Sequence, residues 1–472
     1  MWRPGPRLPR RCYRTTSNLK HSVYVCGSVP NGAYQALYRR APQRSPDVSQ
    51  LTIPVERHSL DNGLKIVLSQ DRTVPVVAVN LWYGVGSRNE TTGKTGFAHL
   101  FEHMMFQGSA HVPKNKHFEL IERAGGTLNA STWYDRTNYF ETVPSHELEL
   151  ALWLESDRMG WMVEAMDQEK LDNQRDVVKN EKRQRYDNQP YGDWDERLQA
   201  LVYPEAHPYH HSVIGSMEDI DAATLDDVAS FFKTFYVPNN AVVTITGDFE
   251  RDAALQLLDK YFGEIEPGQP IPPLPGDLRI HPLIGETVRE HVLADVPLPR
   301  VVMAFRIPPY SSDDFAVAEV SRALLGMGRA SRLYRRLVRE RRVAKGVVTF
   351  AFPLLTGASM LLAWATGYPG ASPEELEAAL AEELEGLAEA EVHEVERAIA
   401  LTESDLVRGL ERVSQRADLL SMFELYFDDP NRLNTELDRL RAVTVDEIRA
   451  FAKERLGPDN RAVLTYEPKG EA

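Results

Sequence analysis

Three residues at helical spacing, His99, Glu102 and His103, are the part of the sequence best suited to chemistry. In an α-helix of 3.6 residues per turn, two residues four apart lie on one face, one turn apart along the axis. The two imidazoles can therefore meet at one metal ion. The Glu102 carboxylate lies on a neighbouring part of that face, from which it can reach a water molecule bound to the metal. The spacing predicts a metal site that activates water.

The alternative is a pair of surface histidines on an amphipathic helix. Against it stands the apolar surrounding of the pair, which indicates a helix that is buried almost all round. Buried polar groups need partners, and a metal ion supplies them. The apolar neighbours are Phe97, Leu100, Phe101, Met104, Met105 and Phe106.

A catalytic zinc ion normally has three protein ligands and an open position for water. Glu181 is the candidate for the third ligand, because Val177 and Val178 precede it by four and three residues and predict that it shares the apolar side of a helix. A glutamate there is costly unless it is paired or coordinated. The helical pattern alone leaves a second interpretation open, in which Glu181 is partly exposed and pairs with Arg185 at i+4.

A second histidine group, His207, His210 and His211, has no helical spacing and lies beside Pro204 and Pro208. These features favour a structural loop over a second metal site.

Strands and helices alternate in mixed runs around these residues. Asn62-Gly63 between apolar runs predicts a β-hairpin. Strands are expected at 74–85, 127–143, 241–246, 287–307, 343–352 and 358–368. Helices are expected at 96–108, 114–124, 146–164, 167–187, 224–236, 314–325 and 330–341. The ten glutamates of 374–396 indicate a solvated helical face.

Five prolines within residues 267–276 mark the clearest domain boundary. We therefore expect an α+β fold of two related domains, each a mixed or antiparallel sheet packed against helices. The predicted boundaries are 51–266 for a metal-binding catalytic domain, 267–278 for the linker and 279–472 for a related domain without a metal site.

Length, charge and composition exclude several classes of protein. With 472 residues and 43% hydrophobic residues the chain is globular, and no apolar run is long enough for a membrane-spanning helix. Cys12 and Cys26 are the only cysteines, which excludes a disulfide framework and a zinc site of the CxxC type. Residues 1–45 hold nine Lys or Arg and no acid, whereas the remainder has a net charge of −24, which argues against nucleic-acid binding. Residues 1–50 are expected to be a disordered basic tail, or a mitochondrial transit peptide. The expected location is the cytoplasm, with the mitochondrial matrix as the alternative.

The order H-x-x-E-H is the inverzincin motif. With it, the chain resembles the pitrilysin/insulysin family of zinc metallopeptidases, in particular short bacterial members related to the beta subunit of the mitochondrial processing peptidase. The resemblance covers residues 55–468 and rests on four stretches, namely 96–106, 124–132, 155–159 and the run that ends in Glu181.

The resemblance implies a zinc endopeptidase with one Zn²⁺ per chain, bound by His99, His103 and Glu181. In the family a glutamate at a similar distance is the third ligand; here 77 residues separate His103 from Glu181. Glu102 is implied as general base. Residues 127–132 are implied to form the edge strand on which a peptide substrate binds, with Asn129 and Ala130 in contact with it.

Two departures from the family pattern are visible. The residue seven before the third ligand is usually a glutamate that supports the metal site, and here it is Gln174, so weaker zinc binding is expected. An arginine and a tyrosine of the second domain usually help to bind substrate, and an ungapped alignment puts Val338 and Lys345 at their positions.

The replacement of this arginine and tyrosine predicts a heterodimer, in which a related subunit without the H-x-x-E-H motif supplies both residues. The alternative is a slipped alignment, in which Arg339 or Arg341 serves instead. Two rival functions also remain, a non-catalytic scaffold subunit and a presequence-processing subunit. The complete set of His99, Glu102, His103 and Glu181 argues against the scaffold.

Overall fold

The structure, a computed structural model, describes residues 52–469. The predicted basic tail or transit peptide and both cysteines lie outside the described residues. Within the described range we call residues 52–266 the first half and residues 279–469 the second half.

The first half is built on one mixed sheet, sheet 1, in the order β1-β2-β6-β3-β5-β4. Only β2 and β6 run parallel, and the other neighbours are antiparallel. Its strands are β1 (Glu56–Ser59), β2 (Lys65–Gln70), β3 (Val76–Tyr83), β4 (Thr127–Thr132), β5 (Thr137–Pro144) and β6 (Ala241–Gly247). Its helices are α1 (Phe97–Met104), α2 (Lys116–Arg123), α3 (Leu148–Trp161), α4 (Gln168–Lys182), α5 (Trp194–Val202), α6 (Met217–Ala222), α7 (Leu225–Phe235) and α8 (Arg251–Phe262).

The second half contains sheet 2, in the order β7-β11-β8-β10-β9, of which β7 and β11 are parallel. Its strands are β7 (Thr287–Ala294), β8 (Arg300–Ile307), β9 (Ala344–Phe352), β10 (Ser359–Gly367) and β11 (Arg461–Pro468). Its helices are α9 (Phe315–Gly326), α10 (Pro373–Glu385), α11 (Val392–Leu410), α12 (Val413–Phe427), α13 (Arg432–Ala442) and α14 (Val445–Arg455).

The two sheets have the same topology once β1 is set aside. The order β2-β6-β3-β5-β4 in sheet 1 matches β7-β11-β8-β10-β9 in sheet 2, and in both the parallel pair occupies the same place. The predicted α+β fold of two related sheets packed against helices is confirmed. The predicted domain boundaries stay predictions, although residues 267–278 contain no helix or strand.

One face of sheet 1 packs on helices of its own half. Alternate residues of β3 point into this core, as expected for a strand with two different faces. Their neighbours in the same cluster come from α1, α3 and α7. The cluster includes Val77, Val79, Leu81, Phe101, Leu152 and Phe232, all buried.

The opposite face of each sheet is covered by a helix from the other half. Helix α12 packs against β2, β3, β5 and β6, while α5 packs against β8 and β11. The Asp418 carboxylate of α12 accepts hydrogen bonds from Trp82 Nε1 (3.2 Å) and Asn80 Nδ2 (3.3 Å) of β3. Sheet 2 binds helix α5 of the first half in a similar way, since Arg306 Nε of β8 donates to the Val202 carbonyl at the end of α5 (2.8 Å). This reciprocal exchange of helices joins the two halves.

Most predicted elements are found within a few residues of their expected ends. The hairpin is confirmed: Ser59 pairs with Lys65, and Gly63 takes the left-handed conformation (φ +88°) at the turn. The single strand expected at 127–143 is instead two strands, because a tight turn at 133–136 separates β4 from β5.

Other expectations need correction. Helices α5, α6 and α8 were not predicted, and the helix expected at 330–341 contains a π-helical stretch, Tyr334–Glu340. The segment 374–396 is not one solvated face, because it breaks between α10 and α11. Within it the buried Glu394 accepts hydrogen bonds from Arg332 Nη2 (2.6 Å) and Arg335 Nη2 (3.4 Å).

Among residues 52–469, no helix combines the length and the apolar character needed to cross a membrane. The cytoplasmic location stays a prediction.

The helix exchange predicts that Asp418→Ala destabilises the fold by about 1–3 kcal/mol. The reason is that the substitution leaves buried donors of β3 without an acceptor. Urea unfolding of wild type and variant measures this difference. The control is Asp405→Ala, because Asp405 is an exposed residue of α11 and its loss is expected to change stability by less than about 0.5 kcal/mol. If both substitutions change the free energy of unfolding by the same small amount, Asp418 does not stabilise the contact between α12 and sheet 1.

Candidate metal centre and active-site cleft

Helix α1 is short and combines a buried apolar surface with one polar stripe. It begins after Gly96, which adopts the left-handed conformation (φ +84°) and whose added Cβ would lie 2.6 Å from the Ile214 carbonyl oxygen. Phe101 packs on Phe232 of α7, with ring centroids 5.8 Å apart. This packing fixes the rotation of the helix about its axis, so that His99, Glu102 and His103 face away from the core of sheet 1.

The structure brings the two predicted histidine ligands together with Glu181 of α4. The His99 and His103 ring centroids are 4.8 Å apart. Glu181 Oε2 lies 3.3 Å from His103 Nε2 and 3.8 Å from His99 Nε2. One ligand atom from each residue lies within 4.8 Å of the other two, and among the described residues no other group of His, Cys, Asp and Glu has this geometry.

Both interpretations of Glu181 that the sequence left open apply at once. Its Oε1 forms an ion pair with Arg185 (2.7 Å), while its Oε2 faces the histidines. The expected apolar side of α4 is only half present, because Val178 is buried but Val177 is 40% exposed. Glu181 therefore stands at the border between the core and the cleft.

The protonation states suit a metal ion. The contact with His103 lowers the pKa of Glu181 to about 2, against the opposing effect of partial burial. Burial, and then the neighbouring His103, lower the pKa of His99 to about 4. Near neutral pH the site therefore offers a carboxylate and a neutral imidazole, which are the forms that bind metal. Two nitrogens and one carboxylate oxygen match a catalytic zinc site with an open position.

Glu102 lies beside this cluster and is held from strand β4. Its Oε2 accepts a hydrogen bond from Thr132 Oγ1 (2.6 Å). Burial raises the pKa of Glu102, and the hydrogen bond from Thr132 partly offsets that effect. A raised carboxyl pKa brings the group closer to the range of an efficient proton acceptor and donor. Thr132 ends the stretch 124–132 that carries the family resemblance, but nothing in the sequence indicated that its hydroxyl binds Glu102.

Strand β4 forms one edge of sheet 1, since β5 is its only paired strand in the described part of the chain. The predicted edge strand is thus observed. Asn129 is exposed and Ala130 is half-buried, and Asn129 Oδ1 accepts a hydrogen bond from the Ala130 N–H (2.9 Å). An edge of this kind presents backbone groups to which an extended peptide can add.

A cleft of about 970 Å³ unites these elements. It extends beyond the metal cluster to an aromatic wall in which Trp133 and Phe352 stack at 5.6 Å. Phe352 belongs to β9 in the second half, and no sequence pattern placed it there. The lining includes His99, Glu102, His103, Phe106, Phe118, Asn129, Ala130, Trp133, Gln174, Glu181 and Phe352.

Gln174 is buried in the cleft wall, with 6% of its surface exposed. Its Nε2 donates to Asn173 Oδ1 (2.9 Å). His99 Nδ1 is buried and has no hydrogen-bond partner among the described residues. Metal-bound histidines usually donate their second nitrogen to a carboxylate or carbonyl, and this support is missing from His99 here.

Two histidines of the second group make local contacts, whereas His211 Nδ1 lies 3.7 Å from Glu90 Oε2. His207 Nδ1 accepts from the Tyr209 N–H (3.2 Å), and the His207 ring stacks on Tyr203. His210 Nδ1 lies 2.7 Å from the Tyr203 carbonyl oxygen. These contacts fit the structural loop that the prolines indicated.

Val338 and Lys345 of the second half lie outside the cleft. Val338 packs against the apolar core of that half, and Lys345 is exposed on edge strand β9. Neither lines the cleft described above.

Comparison with known proteins agrees with this geometry. Residues 65–207 match the family model "Insulinase (Peptidase family M16)", and residues 222–402 match "Peptidase M16 inactive domain". The zinc protease PqqE of Helicobacter pylori is 31% identical over 373 residues, which cover 78% of this chain and 80% of that protein. A mitochondrial-processing peptidase subunit beta of Lentinula edodes is 25% identical over 217 residues, 44% of each chain.

Among solved structures, the crystal structure of a protease from Helicobacter pylori matches with a TM-score of 0.83 and 28% identity. The match covers 88% of this chain and all of that one. These matches extend along both halves of the chain, and the metal cluster lies in the half that matches the insulinase model. The chain belongs to the insulinase family of peptidases, peptidase family M16.

Proposed function

We propose that this chain is a zinc-dependent endopeptidase that hydrolyses peptides or unfolded segments of polypeptide. The observation that carries the proposal is the convergence of His99, His103 and Glu181 beside Glu102 at an open sheet edge. Relatives that are named zinc proteases support the same metal. One Zn²⁺ per chain would be held by the two imidazoles and the Glu181 carboxylate.

When bound, the zinc ion would supply a Lewis acid for the scissile carbonyl and lower the pKa of a coordinated water. Residues of the chain itself carry out the proton transfers. Glu102 takes a proton from the attacking water as the new C–O bond forms, and later delivers it to the leaving amine as the C–N bond breaks. Thr132 holds one oxygen of Glu102 and leaves the other for the water.

The substrate binds as an added strand along β4. Asn129 and Ala130 lie in the cleft wall with the metal cluster, so a paired peptide would pass its backbone close to Glu102. Recognition through backbone hydrogen bonds depends little on side chains, and we expect broad cleavage specificity.

The chain would act as the catalytic subunit of a heterodimer. Val338 is an apolar packing residue and cannot donate a hydrogen bond to an oxyanion. Lys345 is exposed on β9, an edge strand of sheet 2, and does not line the cleft. A related subunit without the metal motif would then supply the arginine and the tyrosine. The presequence-processing alternative has support only from the partial match to the mitochondrial subunit.

Glu102→Gln is expected to bind zinc as the wild type does but to lose about 10²–10⁴-fold in kcat on a fluorogenic peptide, because the amide cannot accept the proton. Zinc content by mass spectrometry and steady-state kinetics measure both properties. The matched control is Glu122→Gln, since Glu122 is exposed on neighbouring helix α2. Full activity of Glu102→Gln would refute the assignment, and wild type without any activity would favour the scaffold.

Glu181→Gln is expected to weaken zinc binding strongly, because an anionic ligand is replaced by a neutral amide. Titration of the apoprotein against a chelating dye measures the dissociation constant, and Glu169→Gln, on the exposed side of α4, is the control. Removal of zinc should abolish peptidase activity, and its return should restore it. Unchanged affinity in Glu181→Gln would exclude it as a ligand.

The same titration addresses Gln174. Gln174→Glu is expected to tighten zinc binding by about tenfold or more, since a carboxylate beside the ligands adds negative charge and a stronger acceptor. Equal affinity of wild type and variant would show that the glutamine does not weaken the site.

The purified chain alone is expected to cleave the peptide at least about 10²-fold more slowly than the chain co-expressed with a related subunit, because oxyanion donors are worth about 10²–10³ each. The pair made with Glu102→Gln is the control and should be inactive. If the chain alone is as fast as the pair, the heterodimer is wrong. Loss of that activity in Arg339→Ala or Arg341→Ala would then identify the slipped alignment.

A further inference from the structure

Helix α1 begins without a side-chain cap of its own. Its N-cap residue is Gly96, which has no side chain to accept a hydrogen bond from the first turn. The first N–H groups of a helix have no partner within the helix, and an eight-residue helix has little stability by itself. Whatever binds these groups therefore controls how firmly His99 and His103 are held.

Glu90, six residues before the N-cap Gly96, takes this role. Its Oε2 accepts a hydrogen bond from the Gly96 N–H (2.9 Å), and its Oε1 accepts one from the Ala98 N–H (2.7 Å). The Glu90 side chain is completely buried. Burial raises the pKa of Glu90, whereas the two N–H donors favour the ionised form. Both oxygens act as acceptors, and a negative charge at a helix N-terminus is favourable.

The backbone next to Glu90 is tied to the turn that follows strand β4. The Ser87 N–H donates to the Trp133 carbonyl (3.2 Å), and the Arg88 N–H donates to the Tyr134 carbonyl (3.0 Å). Gly86 has no room for a side chain here, because a Cβ would lie 2.2 Å from the Trp133 carbonyl oxygen.

These bonds close a ring of contacts around the site. The turn after β4 holds the backbone of 87–88, Glu90 holds the first turn of α1, and Glu102 of α1 accepts a hydrogen bond from Thr132 of β4. The ring sets the position of the metal-binding helix relative to the strand proposed to bind substrate.

We propose that Glu90 is a positioning residue, which places the His99–His103 helix for metal binding and sets its distance from β4. The inference rests on the proposed function, since it assigns Glu90 a role toward that same metal site. Glu90 touches neither the ligands nor the substrate strand, and it acts through the backbone of α1.

The test compares Glu90→Gln and Glu90→Ala with Glu447→Gln. Glu447 is also a helix-capping carboxylate, but it accepts from the Thr444 N–H (2.8 Å) at the start of α14 in the second half. For each variant we would measure zinc affinity by competition with a chelating dye, amide hydrogen exchange of residues 97–101, stability in urea, and kcat and KM separately.

The expected result is a graded series. Glu90→Ala weakens zinc binding about tenfold or more and speeds amide exchange in 97–101, and Glu90→Gln, which keeps one acceptor oxygen, lies between it and wild type. We expect kcat to fall more than KM rises, because β4 remains in place. Glu447→Gln lowers stability in urea but leaves zinc affinity within twofold of wild type.

Zinc affinity and amide exchange within twofold of wild type in folded Glu90 variants would overturn the proposal. So would an equal loss of zinc affinity in Glu447→Gln, or failure of both Glu90 variants to fold, since Glu90 would then serve folding alone. If wild type binds no zinc, the proposed function fails, whereas the exchange of residues 97–101 still decides whether Glu90 places the helix.

Discussion

Each sheet of this protein has two buried faces, and neither half of the chain covers both faces of its own sheet. Helices α12 and α5 are exchanged to meet this constraint. The exchange is specific because polar groups on the sheet find partners on the incoming helix: Thr244 Oγ1 accepts a hydrogen bond from Ser421 Oγ (2.7 Å), and Trp82 Nε1 donates one to Asp418. Buried polar groups of this kind cost free energy unless they are paired, so the two halves depend on one another.

The cleft is a consequence of that arrangement. With both faces of sheet 1 covered, an extended chain can add only at an edge, and the edge strand β4 lines the cleft, to which the second half contributes Phe352. Helix α1 passes beside this edge, and buried carboxylates hold its first turn and the segment that follows the helix. Glu90 binds its first turn, and Asp157 holds the following segment through Ser109 and His111.

The site's electrostatics follow from partial burial. Glu181 faces His103 with one oxygen and Arg185 with the other, so its carboxylate stays charged in the metal-free chain. Glu102 is more deeply placed, and burial acts on it in the opposite direction. Two carboxylates of one site thus differ in acidity, because Glu181 is bound by His103 and Arg185, whereas Glu102 is buried and held by a neutral hydroxyl.

The sequence by itself determined the H-x-x-E-H helix, the hairpin at Gly63, most strands and helices, and the two-part α+β plan, because these depend on spacing within short segments. It did not decide the partners of Glu181, the bond between Thr132 and Glu102, the role of Glu90, or the burial of Glu394 within a run of glutamates. Only the tertiary structure decided these. Each depends on how helices and strands pack against one another, and periodicity along a helix or strand reports which face is apolar but not which neighbour that face will meet.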